Sequence, residues 1–101
     1  MADRVSIPRT EYPERVARAG KLIAAAGLDV MVANSNEADY ANVRYLSAFW
    51  PLFEMGGVAV SPDGQAALMI GPESENFARE QGTIPNLHPM TAYRETADPE
   101  Y

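Results

Sequence analysis

The segment around which the chain is organised reads Asn42-Val43-Arg44-Tyr45-Leu46-Ser47-Ala48-Phe49-Trp50-Pro51-Leu52-Phe53-Glu54-Met55-Gly56-Gly57. It holds the only tryptophan and two of the three phenylalanines among the 101 residues. Before it, apolar residues recur with a helical period, and after it two apolar runs flank a turn, as in a β-hairpin. We therefore expect an α/β domain in which this segment joins a helical front half to a hairpin.

The front half predicts a helix followed by a buried strand. Thr10 suits the N-cap of a helix, and Gly27 suits the position just past its last turn. The run 28–33 is apolar almost throughout, which is typical of a strand buried on both faces, as in the parallel part of a sheet. Residues 37–46 favour a short helix, with an edge strand over 43–49 as the alternative. The apolar positions expected to be buried in the first helix are Val16, Ala19, Leu22, Ile23 and Ala26.

The back half predicts a hairpin, a helix and at most one more strand. The runs 57–60 and 66–70 flank Pro62-Asp63-Gly64, in which Pro and Gly suit the central positions of a turn. Acidic residues begin a helix over 73–81, which should bury Phe77 and Ala78. Prolines interrupt residues 84–93, so that segment can supply only a short strand. The predicted fold class is α/β, with a mixed sheet that contains a β-hairpin and is flanked by helices.

Charge and composition limit the classes of partner. The net charge is −6, with five basic and three acidic side chains in residues 1–21 and three basic and eleven acidic side chains in the remainder. An acidic surface repels phosphate backbones, so we expect no nucleic-acid binding. No apolar run approaches the ~20 residues of a membrane span, and the first residues do not form a secretory signal. The absence of cysteine suits a cytoplasmic protein.

The chain offers little chemistry of its own. His88 is the only histidine, it precedes a proline, and no cysteine is present. A metal site needs several converging ligands, and the carboxylates here are scattered over turns and helix starts. No serine lies in a nucleophile elbow and no glycine-rich phosphate loop opens a helix. We expect no catalytic residue and no metal ligand in this chain, and no turnover by the isolated polypeptide.

The apolar residues of the organising segment allow two interpretations. One is core packing between the helix and the hairpin. The other is an interface or a loop that lines a ligand site, where aromatic residues and methionine are enriched. The two are compatible if Phe49 points inward while Trp50 or Phe53 points outward.

Four segments together carry a resemblance to a known family: Ala25-Ala26-Gly27-Leu28-Asp29-Val30-Met31-Val32, Asn42-Val43-Arg44-Tyr45-Leu46-Ser47-Ala48-Phe49, Gly57-Val58-Ala59-Val60-Ser61-Pro62-Asp63-Gly64 and Leu68-Met69-Ile70-Gly71-Pro72-Glu73. Their order and spacing over residues 12–80 resemble the N-terminal domain of the creatinase/prolidase/aminopeptidase P family, the "pita-bread" metallopeptidases and their relatives. The resemblance implies a ribonuclease H-like α/β fold.

The resemblance also implies where the catalytic chemistry lies. In this family a C-terminal domain performs it, commonly with two divalent metals, so we expect Mn, Co or Zn in that domain and no cofactor here. Residues 1–101 would then form a single N-terminal-like domain, with an arm at 1–10 and a linker or truncation point at 94–101. The chain would be an excised N-terminal domain, inactive alone, of a parent hydrolase.

A role for the loop after Phe49 follows from the same resemblance. In the family the N-terminal domain mediates dimerisation, and this loop can reach the active site of a neighbouring subunit. The residues expected to line that site in trans are Trp50, Phe53 and Glu54, with the indole face and the carboxylate suited to an amine. Creatinase places an arginine in this loop. The sequence has none between Arg44 and Arg79, which argues against creatine as substrate.

The function expected from the sequence is that of a non-catalytic N-terminal domain in a metal-dependent Xaa-Pro dipeptidase or aminopeptidase-like hydrolase. Its partners would be the catalytic C-terminal domain of the parent chain and a second subunit in a homodimer. Two alternatives stay open: a stand-alone interaction module that uses its aromatic loop, and the N-terminal domain of a non-peptide amide or amidine hydrolase of the same family.

Overall fold

The computed structural model describes residues 7–36, 39–50, 55–90 and 93. Within them the chain forms three α-helices and four strands around one core. In chain order the elements are α1 (Glu11–Ala25), β1 (Met31–Ser35), α2 (Ala41–Ser47), β2 (Gly56–Val60), β3 (Ala66–Ile70), a 3₁₀ turn (Pro72–Ser74), α3 (Glu75–Gln81) and β4 (Leu87–Pro89).

The four strands form one mixed sheet in the order β1-β2-β3-β4. β1 and β3 each run antiparallel to β2, while β4 runs parallel to β3 after the crossover through α3. The register places Ala33 opposite Val58 and Val58 opposite Leu68, so these three residues share one face of the sheet. This arrangement confirms the predicted α/β class, with its hairpin, mixed sheet and flanking helices.

The core lies on one face of the sheet, which we call the inner face. Val58, Val60, Leu68 and Ile70 of β2 and β3 are fully buried there, in one cluster with apolar side chains of all three helices. The alternate residues of the strands form the outer face. On this face Val32, Asn34 and His88 are exposed, while Ala59, Ala67 and Met69 are half-buried. The described helices thus pack against a single side of the sheet.

The first helix has the predicted bounds, but its buried face differs from the prediction by about one position. Leu22 is 71% exposed, whereas Tyr12, Val16, Gly20 and Ile23 are buried. The reason is the hairpin turn: a Cβ at Gly20 would lie 3.0 Å from Gly64 Cα and from Ser61 O. Because the turn rests on Gly20, the helix presents that side to the core and turns Leu22 outward.

The predicted strand at 28–33 is wrong in position and in burial. Gly27 adopts a φ of +73° and the N–H of Leu28 donates to Ile23 O, so the helix ending extends to Leu28. The strand therefore begins at Met31. It is antiparallel to its one described neighbour, β2, and Leu28, Val30 and Val32 are each more than half exposed. Val32 lies on the outer face, which no described helix covers, and Leu28 and Val30 precede the strand; the apolar run alone could not reveal this.

Three further predictions of helices and strands hold with small shifts, whereas residues 1–6 of the predicted arm and the predicted linker at 94–101 lie outside the described residues. A helix forms at α2 rather than the alternative edge strand, and its last residue, Ser47, is followed by Ala48, which has a φ of 65°. The 73–81 helix begins as a 3₁₀ turn; Ala78 is buried and Phe77 is half-buried. β4 is the single short strand expected between residues 84 and 93.

The hairpin turn is held by its own polar groups. The N–H of Ser61 donates to Gln65 O and the N–H of Gly64 donates to Ser61 O, each at 2.9 Å, and Gly64 has a φ of +84°. The Ser61 hydroxyl donates to the Asp63 carboxylate. This bond and one from the N–H of Gln65 lower the pKa of Asp63, because they stabilise its charged form.

Candidate functional site

Two adjacent residues in the described part of the organising segment, Phe49 and Trp50, differ in burial. Phe49 is 1% exposed and packs edge-to-face on Phe77, with ring centres 5.8 Å apart. Trp50, the next residue, is half-buried and lies outside that cluster. The core position expected of Phe49 is therefore observed, whereas Trp50, expected on the outside, is only partly exposed.

The end of α2 determines this division. Ser47 is fully buried, and its hydroxyl donates to Val43 O at 2.6 Å and accepts from the N–H of Phe49 at 3.1 Å. Ser47 O accepts from the backbone and from the side chain of Thr83. The left-handed residue Ala48 then turns the chain. Together these contacts hold Phe49 towards the core and direct the chain outward at Trp50.

Trp50 forms a compact group with two residues of the α2 region, which we call the Trp50 platform: Tyr40, Arg44 and Trp50. The rings of Tyr40 and Trp50 have centres 5.0 Å apart at 35°. The guanidinium carbon of Arg44 lies 4.7 Å from the Trp50 ring centre and 6.0 Å from that of Tyr40. These separations describe a cation–π contact in which the arginine head remains at the surface.

The backbone of Trp50 is held by a residue at the end of α3. Its N–H donates to Gln81 Oε1 at 2.9 Å, and Gln81 is the last residue of α3. Arg9 donates to the carbonyls of Gln81 and Gly82 at 3.0 and 2.8 Å. The last carbonyls of a helix lack partners within the helix, so a cation there satisfies them and complements the helix dipole. Arg9 and Gln81 thus connect the start of α1 to the platform.

A known family model matches most of the chain. The family model for the Creatinase/Prolidase N-terminal domain matches residues 15–99. The chain belongs to that family.

Solved structures agree with the family at the level of the fold. The N-terminal domain (Creatinase/Prolidase-like domain) of a metallopeptidase from Corynebacterium diphtheriae is similar at 19% identity and a TM-score of 0.65, over 83% of this chain and 61% of that one. The prolidase from Pyrococcus horikoshii OT3 is similar at 20% identity and a TM-score of 0.61, over 80% of this chain and 20% of that one. No curated protein sequence matches the chain significantly.

A third similar structure is an Xaa-Pro aminopeptidase from Streptococcus pyogenes, at 13% identity and a TM-score of 0.60, over 82% of this chain and 60% of that one. The chain therefore spans between a fifth and about three fifths of the structures it resembles. At these identities the likeness concerns the fold of the Creatinase/Prolidase N-terminal domain.

Two of the three residues expected to line a site lie outside the described residues. These are Phe53 and Glu54, so their role stays a prediction, and Trp50 alone can be examined. The residue that sequence reasoning missed is Arg44. Its spacing of four from Tyr40 was the available signal, because residues at i and i+4 share one side of a helix. The sequence of this Creatinase/Prolidase N-terminal domain has no arginine between Arg44 and Arg79, but Arg44 of α2 itself lies against the Trp50 ring.

The described residues do not fit a metal ion. In the ranges given above, no group of three His, Asp or Glu side chains converges as metal ligands would. His88 is exposed on β4, where its Nε2 lies 3.0 Å from Asn86 Oδ1. We therefore derive no chemical step through a metal in this domain.

Helix length and hydropathy give one further negative finding. None of the helices among the described residues is both long and apolar enough for a membrane span.

Proposed function

We propose that this chain is the non-catalytic N-terminal domain of a metal-dependent Xaa-Pro dipeptidase or aminopeptidase-like hydrolase. The observation that carries the proposal is the family match over residues 15–99. Two similar structures are a prolidase and an Xaa-Pro aminopeptidase, and this chain covers only part of each. The parent chain would add a catalytic C-terminal domain holding a divalent metal (Mn, Co or Zn), and residues 1–101 would form its N-terminal domain.

In this proposal the domain contributes to dimerisation of a cytoplasmic homodimer and to the lining of the active site. The Trp50 platform and the loop that follows it would face the catalytic domain of the neighbouring subunit. The chain has 47% apolar residues and an acidic surface, which suits contact with protein rather than with nucleic acid.

The chemistry of the platform favours an anionic group of the substrate. Arg44 already lies over the Trp50 ring, so that ring does not offer a free face to an amine on that side. The Arg44 side chain is exposed, and no hydrogen bond or ion pair joins it to another described residue. A guanidinium whose planar fork is available binds a carboxylate with two parallel hydrogen bonds. A dipeptide carries such a carboxylate.

The same observation supports a second candidate function, a non-peptide amide or amidine hydrolase whose substrate carries a carboxylate. The absence of a loop arginine argued against creatine; in this second candidate Arg44 of α2 would be the cation that binds the substrate carboxylate.

The test uses the parent protein encoded by the uninterrupted reading frame and the 101-residue chain, each with added manganese or cobalt. We expect the parent to hydrolyse an Xaa-Pro dipeptide and the 101-residue chain to be inactive. Turnover by the short chain, or a reading frame that stops soon after Tyr101, would contradict the proposal; the latter favours an interaction module. Hydrolysis of a carboxylate-bearing amidine instead of the dipeptide would select the second candidate.

Substitution of Arg44 in the parent tests the role of the platform. Arg44→Met should raise KM for a substrate with a free carboxylate by about tenfold or more, because a charge-assisted pair is lost. KM for the matching substrate with an amidated C-terminus should not change. Arg44→Lys keeps the charge but loses the planar fork. Its KM for the substrate with a free carboxylate should lie between the values of the unmodified parent and Arg44→Met.

A further inference from the structure

The two edges of the sheet differ in how they are protected against pairing. β4 forms one edge; it has three residues, its last is Pro89, and Pro85 precedes it. Short length and proline are common devices that keep an edge strand from pairing with another chain. β1 forms the other edge of the described sheet, has five residues, Met31–Ser35, and contains neither proline nor charge. The β1 edge thus lacks the protection that the β4 edge has.

Apolar side chains surround the β1 edge. Leu28, Val30 and Val32 are 52–54% exposed along the strand and the turn before it. Leu22 of α1 and Tyr45 of α2 are 71% and 52% exposed. A groove of about 440 Å³ follows the strand, and Ala19, Met31 and Tyr45 are among the residues that line it. Five of the eight large hydrophobic residues that are exposed in the described part of the chain lie in this region.

We propose that the β1 edge pairs antiparallel with β1 of a second copy of this chain, so that two four-stranded sheets join into one across a two-fold axis. The proposal rests on the dimerisation part of the proposed function and identifies the surface that would mediate it. In an antiparallel pair with β2, alternate residues of β1 direct their N–H and C=O groups away from β2. An extended strand is the occupant that satisfies such a row of groups.

β1 itself meets the requirements for that strand. Pairing about Ala33 places Ala33 opposite its own copy, where the small side chains fit, and places Val32 opposite Asn34 of the second copy. Charge also favours pairing of β1 with β1 of a second copy. Each chain carries −6, so two copies approach at lowest electrostatic cost where the surface is uncharged, and β1 is uncharged.

The position of the helices is also compatible with this symmetry. A two-fold axis perpendicular to the joined sheet keeps the helices of both copies on the same face. The exposed Leu22 and Tyr45 of one copy would then face those of the other above the joined strands. Burial of these side chains supplies a hydrophobic contribution that backbone pairing alone lacks.

The experiment is sedimentation velocity with light scattering on the 101-residue chain, from about 1 µM to about 1 mM. We expect the mass to rise with concentration from 11.0 kDa to twice that value. Val32→Lys should weaken the dimer at least about tenfold, because it places a cation on each side of the two-fold axis. Val32→Thr should leave it largely intact. The matched control is Ile7→Lys, which puts the same charge on a residue that is 47% exposed and outside this region.

Hydrogen exchange on the unmodified chain provides a test that requires no variant. Alternate amides of β1 should become more protected as concentration rises, while those of β4 should not change. A chain that stays monomeric over the whole range overturns the inference. If a dimer forms but Val32→Lys does not weaken it, or if hydrogen exchange in β1 does not change, the β1 edge is not the dimer interface. Dimerisation itself would then stand. Neither result bears on Xaa-Pro hydrolysis by the parent.

Discussion

The phenol hydroxyl of Tyr93 donates a hydrogen bond of 3.0 Å to Asn34 Oδ1, and this contact joins residues 59 positions apart across the outer face of the sheet. Gly57 lies directly beneath it. A Cβ at Gly57 would come within 2.9 Å of Asn34 Oδ1 and 3.2 Å of the Tyr93 hydroxyl. The contact connects Tyr93, which follows β4 in the chain, to the edge strand β1.

Removing the hydroxyl should measure what this connection contributes. Tyr93→Phe is expected to lower the free energy of unfolding by about 0.5–1.5 kcal/mol, the usual net value of a hydrogen bond. Urea unfolding followed by circular dichroism is the measurement. Tyr45→Phe is the control, because the Tyr45 ring packs on Arg15 and is half exposed. If Tyr93→Phe and Tyr45→Phe lower the free energy of unfolding equally, the Tyr93–Asn34 hydrogen bond does not contribute to stability. The same follows if a double-mutant cycle with Asn34→Ala shows no coupling energy.

The close approach of α1 to the hairpin turn predicts an unusual response to alanine. Gly20→Ala should raise helix propensity by about 1 kcal/mol and yet destabilise the protein by about 1–3 kcal/mol. The added Cβ would meet backbone atoms of Gly64 and Ser61 at 3.0 Å, and backbone cannot move aside as a flexible side chain can. Thermal unfolding tests this. Ala24→Gly, at an exposed position of the same helix, gives the ordinary propensity cost for comparison; a more stable Gly20→Ala variant would show that the turn adjusts freely.

The anchor from Arg9 to Trp50 can be followed by fluorescence, since Trp50 is the only tryptophan. Arg9→Met removes two hydrogen bonds to the end of α3, and Gln81→Met removes the acceptor of the Trp50 N–H. Both should shift Trp50 emission to longer wavelength and increase quenching by iodide.

The control for this prediction is Arg79→Met. Arg79 is an exposed arginine that pairs with Glu75 on the surface of the same helix, where such a pair contributes only about 0.3–0.5 kcal/mol. Its loss should leave the emission of Trp50 unchanged. Emission that is unaltered in Arg9→Met would remove Arg9 from the anchor.

Acid should weaken the hairpin turn through Asp63. Hydrogen bonds from Ser61 and from the N–H of Gln65 lower its pKa in the folded state. The sign follows from linkage: a lowered pKa contributes stability that is fully present above the unfolded value of 3.8 and is lost as pH falls through the lower folded value. We expect Asp63→Asn to be less stable than the unmodified chain at pH 7, and the difference to shrink in acid. Urea unfolding at several pH values measures it, and a difference that is constant with pH would exclude this origin.

Local signals account for the elements that were predicted correctly. The hairpin followed from Pro62-Asp63-Gly64 between two apolar runs, because turn geometry depends on a few neighbouring residues. Helix α1 followed from apolar spacing and from Gly27, whose positive φ ends it. The division between Phe49 and Trp50 was anticipated because so many apolar residues in a short segment cannot share one environment.

The errors arose where burial depends on which element packs alongside. An apolar run at 28–33 predicts a strand, but its place at the sheet edge depends on partners far along the chain. The cation beside Trp50 was sought in the loop and is supplied by α2. The Arg9 contact joins residues more than seventy positions apart, and no spacing rule reaches that far.

By itself, then, the sequence determined the α/β class, the hairpin, the ends of α1 and the family resemblance, because each depends on neighbouring residues or on the order of segments. Only the tertiary structure determined that β1 is an edge strand, that Arg44 covers the Trp50 ring, and that Arg9 and Gln81 hold its backbone. These are contacts between residues distant in the chain, and their energies depend on distance and burial that exist only once the elements have packed.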